Sequence, residues 1–324
     1  MKIEEQLTKK SMLSLFREMQ LIRAFEERCG ELYMQGKIRG FLHLYIGEEA
    51  IAVGTAAALE PQDYIVTHYR DHGHALARGM NPDAVMAELY GKSTGTTGGK
   101  GGSMHLVDSS LNFTGGYAIV GGQLPIATGL ALAAQELGED RIVVCYFGDG
   151  ALNQGEFHEA FNLASIWKLP VLFFLENNLY GMGSGIERTF AGGKDPYTVS
   201  DHYKIPSQQI DGMNLLEVKT ATEEARKKIL SGDGPYFIEA ICYRFRGHSM
   251  ADPMNYRDQA EDIAWKPRDP LVTFPTDIVN SGKVSQAEIE KIYQEVEKQV
   301  EAAVEFAESS PFPSPEALYH NIYS

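Results

Sequence analysis

Apolar residues recur every three or four positions over several stretches of the chain, and this period predicts amphipathic helices. The longest such stretch covers residues 8–35. Its apolar positions are Met12, Leu15, Phe16, Met19, Ile22 and Phe25. Further helices are predicted at 47–59, 81–91, 126–137, 155–169 and 215–232.

Two of the predicted helices begin with clear capping signals. Asn81 precedes Pro82, and a capping residue followed by proline at the first helical position is typical of a helix start. Ser285 and Glu288 have the spacing of a capping box, which predicts a C-terminal helix from that point. The apolar positions of this helix are Ile289, Ile292, Val296, Val300 and Val304.

Continuous apolar runs alternate with helices in the second half of the chain. Residues 141–147 and 170–176 are such runs, typical of parallel strands buried on both faces, and the helix at 155–169 connects them. Further strands are predicted at 63–69 and 235–245. This alternation predicts an α/β fold with a parallel sheet flanked by helices.

The segment 91–125 is rich in glycine and has no clear period. Such a stretch inside a compact domain is usually functional or disordered. No linker divides the chain clearly, so we expect a single domain over 1–324. Residues 1–60 and 284–324 are then expected to be helical extensions of that domain.

Charge and composition narrow the possible functions. The 324 residues include 44 acidic and 29 basic ones, a net charge of −15, which disfavours binding to a nucleic-acid backbone. The lack of a long apolar run predicts no membrane span, and the charged N-terminus predicts no signal or transit peptide, so we expect a cytoplasmic protein. The cysteines, Cys29, Cys145 and Cys242, are far apart, as free buried thiols would be.

The candidate chemistry lies just beyond two predicted strands. Asp149 stands between Gly148 and Gly150 after the first strand, and Asn178 follows the second. Ligands of parallel α/β sheets bind beyond the carboxyl ends of the strands, so both side chains are expected in one crevice. Carboxylate and amide oxygens suit Mg²⁺, which usually completes its coordination with phosphate oxygens and water. The alternative is that both segments are ordinary turns.

The stretch "GDGALNQGEFHEAFNLASIWKLPVLFFLENN" (148–178) resembles the thiamin diphosphate motif, a Gly-Asp-Gly followed some 30 residues later by Asn-Asn. More narrowly, it resembles alpha subunits of the first component of 2-oxo acid dehydrogenase complexes, pyruvate dehydrogenase type. The resemblance covers nearly the whole chain. It includes "GFLHLYIGEEA" (40–50), "HYRDHGHALARG" (68–79), "GGKGGSMH" (98–105), "YRFRGHSMADP" (243–253) and the ending "YHNIYS" (319–324).

The resemblance implies thiamin diphosphate and Mg²⁺ as cofactors. Asp149, Asn178 and the carbonyl oxygen of Tyr180 would hold the metal. Tyr69 and Arg70 would contact the cofactor, with Arg70 on the diphosphate.

The resemblance also implies roles nearer the reacting end of the cofactor. Gly150 and Ala151 would offer backbone contacts, and Ala118 and Val120 would meet the aminopyrimidine. Many relatives have glycine at the position of Ala118. His248 would act beside the diphosphate in proton transfer or lipoyl docking, and His43 would line the substrate side.

The implied activity is oxidative decarboxylation of a small 2-oxo acid, pyruvate first, with acyl transfer to the lipoyl group of an acyltransferase component. The implied partner is a beta subunit, in an α2β2 heterotetramer. Acetoin dehydrogenase and branched-chain 2-oxo acid dehydrogenase alpha subunits are alternatives. A more distant alternative is a non-catalytic protein that binds Mg²⁺ and phosphate.

Other polar groups have simpler interpretations. His68, His72 and His74 have a metal-like spacing but are expected in a polar loop at an anion site, and Glu48 and Glu49 are expected to start a helix. In mitochondrial relatives the serine matching Ser249 is phosphorylated. An unmodified active-site loop at 246–262 is the alternative.

Overall fold

The computed structural model describes residues 3–320 and residue 322. Its centre is a six-stranded, entirely parallel sheet with the strand order β2-β1-β3-β4-β8-β7. The strands of this sheet are β1 (Tyr64–His68), β2 (Phe113–Tyr117), β3 (Val143–Gly148), β4 (Val171–Asn177), β7 (Ser207–Asp211) and β8 (Tyr236–Ile241). A small antiparallel pair, β5 (Tyr180–Gly181) and β6 (Ser184–Gly185), follows β4.

Helices cover both faces of the sheet, which confirms the predicted α/β class. They are α1 (Ile3–Gln6), α2 (Lys9–Met34), α3 (Glu49–Ala56), α4 (His72–Ala77), α5 (Pro82–Leu89), α6 (Gln123–Glu136), α7 (Gly155–Trp167), α8 (Ile186–Thr189), α9 (Leu215–Lys228), α10 (Gln259–Trp265), α11 (Pro270–Asn280) and α12 (Gln286–Ser309). The predicted caps are present: Asn81 accepts a hydrogen bond from Asp83 N, and Ser285 and Glu288 form a capping box.

Alternate residues of the central strands enter two separate cores, as the pleat of a strand requires. Val144 and Tyr146 of β3 point into the larger core, which is completed mainly by α2, α3, α5, α9 and α12. Cys145 and Phe147 point into the smaller core, which lies under α6 and α7. A strand buried on both sides is mainly apolar, which is why β3 from Val143 to Phe147 and β4 from Val171 to Leu175 are continuous apolar runs.

The terminal helices pack into the larger core. Val296 and Val300 of α12 belong to the same apolar cluster as Phe16 and Phe25 of α2. The assignment of 1–60 and 284–324 as extensions stays a prediction. Residues 1, 2, 321, 323 and 324 of these segments lie outside the described residues.

Two strands of the six-stranded sheet were missed, and the glycine-rich segment is more regular than predicted. β2, within 91–125, contains Gly115 and Gly116, which weaken the strand pattern. A Cβ at Gly116 would lie 2.1 Å from Asp71 Oδ2, so close packing against α4 requires glycine there. The other missed strand, β7, is a polar strand at the sheet edge.

Predicted element ends were less accurate than the elements themselves. The helix expected at 47–59 is shorter, since α3 spans Glu49–Ala56, and the strand expected at 235–245 ends at Ile241. Within the described part of the chain, no helix combines the length and the apolar composition that crossing a membrane requires.

Candidate active site

A cavity of about 370 Å³ lies where β3 and β4 end. The two strands run in register, with Gly148 of β3 beside Glu176 of β4, so Asp149 and Asn178 leave the sheet together. Both side chains line the cavity, as the sequence predicts. A larger groove of about 980 Å³ runs along the outer edge of β7. We assign the chemistry to the smaller cavity because convergent buried acidic and basic groups line it.

Asp149 begins a 3-10 turn directly after β3 and is only 3% exposed. Its Oδ2 atom has no hydrogen-bond partner within the described residues. Burial raises the pKa of Asp149 to about 6, because a carboxylate is poorly solvated there. A buried carboxylate oxygen without a donor is suited to a cation.

The side-chain amide of Asn178 is oriented by two contacts. Its Nδ2 donates to Glu48 Oε1 at 2.8 Å, and its Oδ1 accepts from Tyr180 N at 3.4 Å. Tyr180 also lines the cavity.

Two buried arginines also line the cavity. Arg70 donates to the carbonyl oxygens of Leu44 at 2.7 Å and His248 at 2.8 Å. Arg244 is 1% exposed, and its Nε donates to Arg246 O at 3.1 Å. Arg70 was predicted as an anion ligand, but Arg244 was not. The only sequence signal for it is its place in "YRFRGHS" (243–249).

His43, Tyr69 and His248 form an aromatic cluster at the cavity. The ring centroids are 4.6 Å apart for His43–Tyr69, 5.2 Å for His43–His248 and 5.8 Å for Tyr69–His248. Burial, with Arg70 nearby, lowers the pKa of His43 to about 2 and that of His248 to about 4. Both imidazoles are therefore neutral near pH 7. Among the described residues neither Nδ1 atom has a hydrogen-bond partner.

The remaining predicted contact residues divide between the lining and its surroundings. Val120, Gly150 and Ala151 line the cavity. Ala118 lies just after β2, half-buried and outside the lining. His43 also lies outside the lining and reaches the cavity through its ring contacts with Tyr69 and His248.

The expectation that His68, His72 and His74 lie in a polar loop is wrong. His68 ends β1, His72 and His74 lie in α4, and all three are buried. His68 and His74 contact Glu176, at 2.5 Å and 2.9 Å, and His72 contacts Glu26 at 2.9 Å. Burial raises the pKa of Glu176, but the two histidines outweigh it and hold that pKa well below its usual value. These residues form a buried network beneath the cavity.

Glu48 and Glu49 start α3 as predicted, with Glu48 at the N-cap position, but Glu48 has contacts that the prediction did not include. Glu49 is the first residue of α3 and is held by Arg23 at 2.6 Å. Glu48 lines the cavity and contacts Asn178. A glutamate before a helix has a sufficient local explanation, so its neighbours in the fold could not be read from the sequence.

A parallel sheet that brings a carboxylate, an amide and two arginines to one cavity at its strand ends defines an α/β enzyme that handles an anionic ligand. The chain belongs to the dehydrogenase E1 component family, which matches residues 17–316, and it is therefore an oxidoreductase. Enzymes of this family depend on thiamin diphosphate.

Similar proteins cover nearly the whole chain. A Zymomonas mobilis protein is 46% identical over 319 residues, which is 97% of this chain and 89% of the relative. A Rickettsia bellii protein is 43% identical over 97% of this chain and 96% of its own length. A Rhizobium meliloti protein is 44% identical over 98% and 91%. All three are called pyruvate dehydrogenase E1 component subunit alpha.

Proposed function

We propose that this chain is the alpha subunit of a pyruvate dehydrogenase E1 component. It would use thiamin diphosphate and Mg²⁺ to decarboxylate pyruvate oxidatively and pass the acetyl group to a lipoyl group. The observation that carries this proposal is the buried Oδ2 of Asp149, which has no hydrogen-bond partner within the described fold and lies in a cavity that Asn178, Arg70 and Arg244 also line. The names of the relatives favour pyruvate over acetoin or branched-chain substrates.

The residues present fit a magnesium ion bound to a diphosphate. Asp149 and Asn178 supply side-chain oxygens, and Tyr180 can supply its carbonyl oxygen. Mg²⁺ prefers oxygen ligands and commonly takes only one or two carboxylates from the protein. A metal held mainly by Asp149 and Asn178 would need phosphate oxygens and water to complete its coordination.

The basic residues of the lining fit the phosphate groups. Arg70 and Arg244 offer charged donors, and arginine matches phosphate oxygens well. Tyr69, Gly150 and Ala151 would add contacts around them. At Gly148 a Cβ would meet no atom of the described chain within 4 Å, so glycine there keeps space in the cavity open.

Bound thiamin diphosphate would supply the electron sink that decarboxylation of a 2-oxo acid requires. The chain's own groups would position reactants and move protons. His43 and His248 are neutral near pH 7, so each has an unprotonated ring nitrogen that can accept a hydrogen bond from a reactant. Val120, which lines the cavity, and Ala118, which lies outside the lining, would contact the aminopyrimidine end of the ligand.

We also propose a beta subunit as partner, in an α2β2 assembly that serves a lipoyl acyltransferase. The observation that supports a partner is an apolar outer surface on α6 and α7. We call it the α6–α7 surface; its exposed apolar residues are Ile126, Leu163, Ile166 and Trp167. An exposed apolar patch of this kind is typical of a protein interface.

The test is reduction of an artificial electron acceptor by the chain co-purified with its beta partner, thiamin diphosphate and Mg²⁺. Pyruvate, acetoin and branched-chain 2-oxo acids are compared in parallel. We expect turnover with pyruvate, and Asp149→Ala to abolish it. Turnover only with acetoin or a branched-chain acid would contradict the proposed substrate. Tight cofactor binding without turnover on any of them would instead favour a non-catalytic binding protein.

A further inference from the structure

The two asparagines at the end of β4, Asn177 within the strand and Asn178 just after it, are each held by a buried glutamate. Asn177 Nδ2 donates to Glu239 Oε1 at 2.6 Å, and Asn178 Nδ2 donates to Glu48 Oε1 at 2.8 Å. A side-chain amide has a donor end and an acceptor end, so fixing the NH₂ group also fixes the direction of the oxygen. Of the two glutamates, Glu48 lines the cavity.

We propose that Glu48 is a positioning residue that holds the Asn178 amide with its oxygen turned toward the divalent cation. The inference rests on the proposed function, because it concerns the cation bound with thiamin diphosphate. A metal ligand is commonly oriented by a second group behind it, and loss of that group typically weakens metal binding about 10–100-fold.

The surroundings of Glu48 leave it suited to this task. The side chain is 1% exposed, so water cannot easily replace it as the acceptor for Asn178. Its second oxygen, Oε2, lies 3.8 Å from Arg70 Nε and has no hydrogen-bond partner within the described residues. One carboxylate thus bonds to the Asn178 amide and faces the Arg70 guanidinium.

Without this acceptor the Asn178 amide loses the stronger of the two hydrogen bonds that fix its orientation. A half-turn about its last bond would exchange oxygen for NH₂, and NH₂ cannot ligate a cation. The weak 3.4 Å contact from Tyr180 N would be the remaining constraint. Glu48 therefore acts through Asn178, and its loss should reduce cation affinity more than it reduces folding.

The experiment is Mn²⁺ titration followed by electron paramagnetic resonance. It uses the chain assembled with its co-expressed beta chain, in the presence of thiamin diphosphate. We expect Glu48→Met, similar in length but without an acceptor, to raise the Mn²⁺ Kd about 10–100-fold. Glu48→Gln keeps an acceptor oxygen and should stay within about threefold of the unmodified protein.

Glu49→Gln is the matched control. Glu49 is the neighbouring residue and equally buried, but it is held by Arg23 and lies outside the cavity lining. Its loss should lower stability and leave the Mn²⁺ Kd within about threefold. The second control is Asn178→Ala, which removes the amide through which Glu48 acts. Adding Glu48→Met to this variant should cause no further loss of Mn²⁺ affinity, because the effects of coupled residues are not additive.

Each result decides the proposal. Unchanged Mn²⁺ affinity in Glu48→Met would overturn it, as would an additional loss in the Asn178→Ala background. A tenfold loss in Glu48→Gln would show that charge matters and not the acceptor. If Glu48→Met does not assemble, the Mn²⁺ affinity of Glu48→Gln compared with the unmodified protein still tests the proposal. Failure of the unmodified complex to bind Mn²⁺ would overturn the proposed function itself, and this inference with it.

Discussion

Asp149 is held in the cavity at an energetic cost. One of its oxygens is buried without a donor from the described residues, and such a group costs about 1–3 kcal/mol. The pKa of Asp149, raised to about 6, reflects the same cost of burying the charged carboxylate. Costs of this kind at a functional site are expected where a ligand offsets them.

Asp149→Asn should therefore make the chain more stable while removing its function. The pKa of this carboxyl is near 3.8 in the unfolded chain and about 6 in the folded one. Its contribution to the stability of the fold is therefore complete below about pH 3.8 and is lost as the pH rises through about 6. At pH 7.5 the substitution should raise the free energy of unfolding by about 1–3 kcal/mol in the absence of cofactor.

The measurement is chemical denaturation at two pH values. The gain from Asp149→Asn should shrink between about pH 7.5 and pH 4, because the native carboxyl becomes protonated there. Added Mg²⁺ and thiamin diphosphate should stabilise the unmodified protein but not the variant. A variant that is less stable at every pH would contradict this account of Asp149.

At the scale of elements, the glycine-rich segment is organised by one carboxylate. Glu88, buried near the end of α5, accepts from the backbone nitrogens of Thr97, Gly99, Gly101 and Gly102 at 2.8–3.0 Å. At Gly99 φ is +77°, and a Cβ there would lie 2.5 Å from the carbonyl carbon of Gly91. A loop folded around a carboxylate explains why this segment lacks a hydrophobic period.

Glu88→Gln should loosen that loop. The new NH₂ group would face backbone N–H donors, which leaves donors unsatisfied and should cost about 2–3 kcal/mol. The midpoint of urea unfolding checks this, with protease cleavage within 95–102 as a local measure. Glu290→Gln, at an exposed position of α12, is the control and should change stability by less than about 0.5 kcal/mol. Equal effects of both substitutions would be inconsistent with an organising role for Glu88.

Elements with a strong period were predictable, and those shaped by distant contacts were not. β3 and β4 are dominated by unbroken apolar runs, so their ends, and with them Asp149 and Asn178, could be placed from sequence alone. β2 could not, because Gly115 and Gly116 hide its pattern.

The same distinction holds at the site. Glu48 meets Asn178 across 130 positions of sequence, and His74 meets Glu176 across 102. No local spacing reveals such pairs. The sequence "HYRDHGH" (68–74) therefore predicted a loop at an anion site. In the structure His68 and His74 instead contact the buried carboxylate of Glu176.

At the scale of the whole molecule, the α6–α7 surface is the feature that a single chain leaves unexplained. Ile166 is 65% exposed and Trp167 is 44% exposed. Both lie at the C-terminal end of α7, whose inner face is buried. Covering this surface would remove apolar area from water, which favours association.

Ile166→Asp should prevent assembly without unfolding the chain, because a charge in a buried apolar contact is costly. Sedimentation velocity of the co-expressed subunits should show separate chains, with an unchanged circular dichroism spectrum. Val272→Asp on α11, at a residue 52% exposed, is the matched control and should assemble normally. Normal assembly of Ile166→Asp would mean that the partner binds elsewhere.

The central claim is that Asp149 and Asn178 hold a divalent cation for a diphosphate at the ends of β3 and β4. The most direct test is an anomalous difference map from crystals of the assembled enzyme grown with Mn²⁺ and thiamin diphosphate. We predict a peak about 2.0–2.3 Å from Asp149 Oδ2 and Asn178 Oδ1, with phosphate oxygens completing its coordination toward Arg70 and Arg244. A peak held by other residues, or cofactor density without a cation at Asp149, would contradict it.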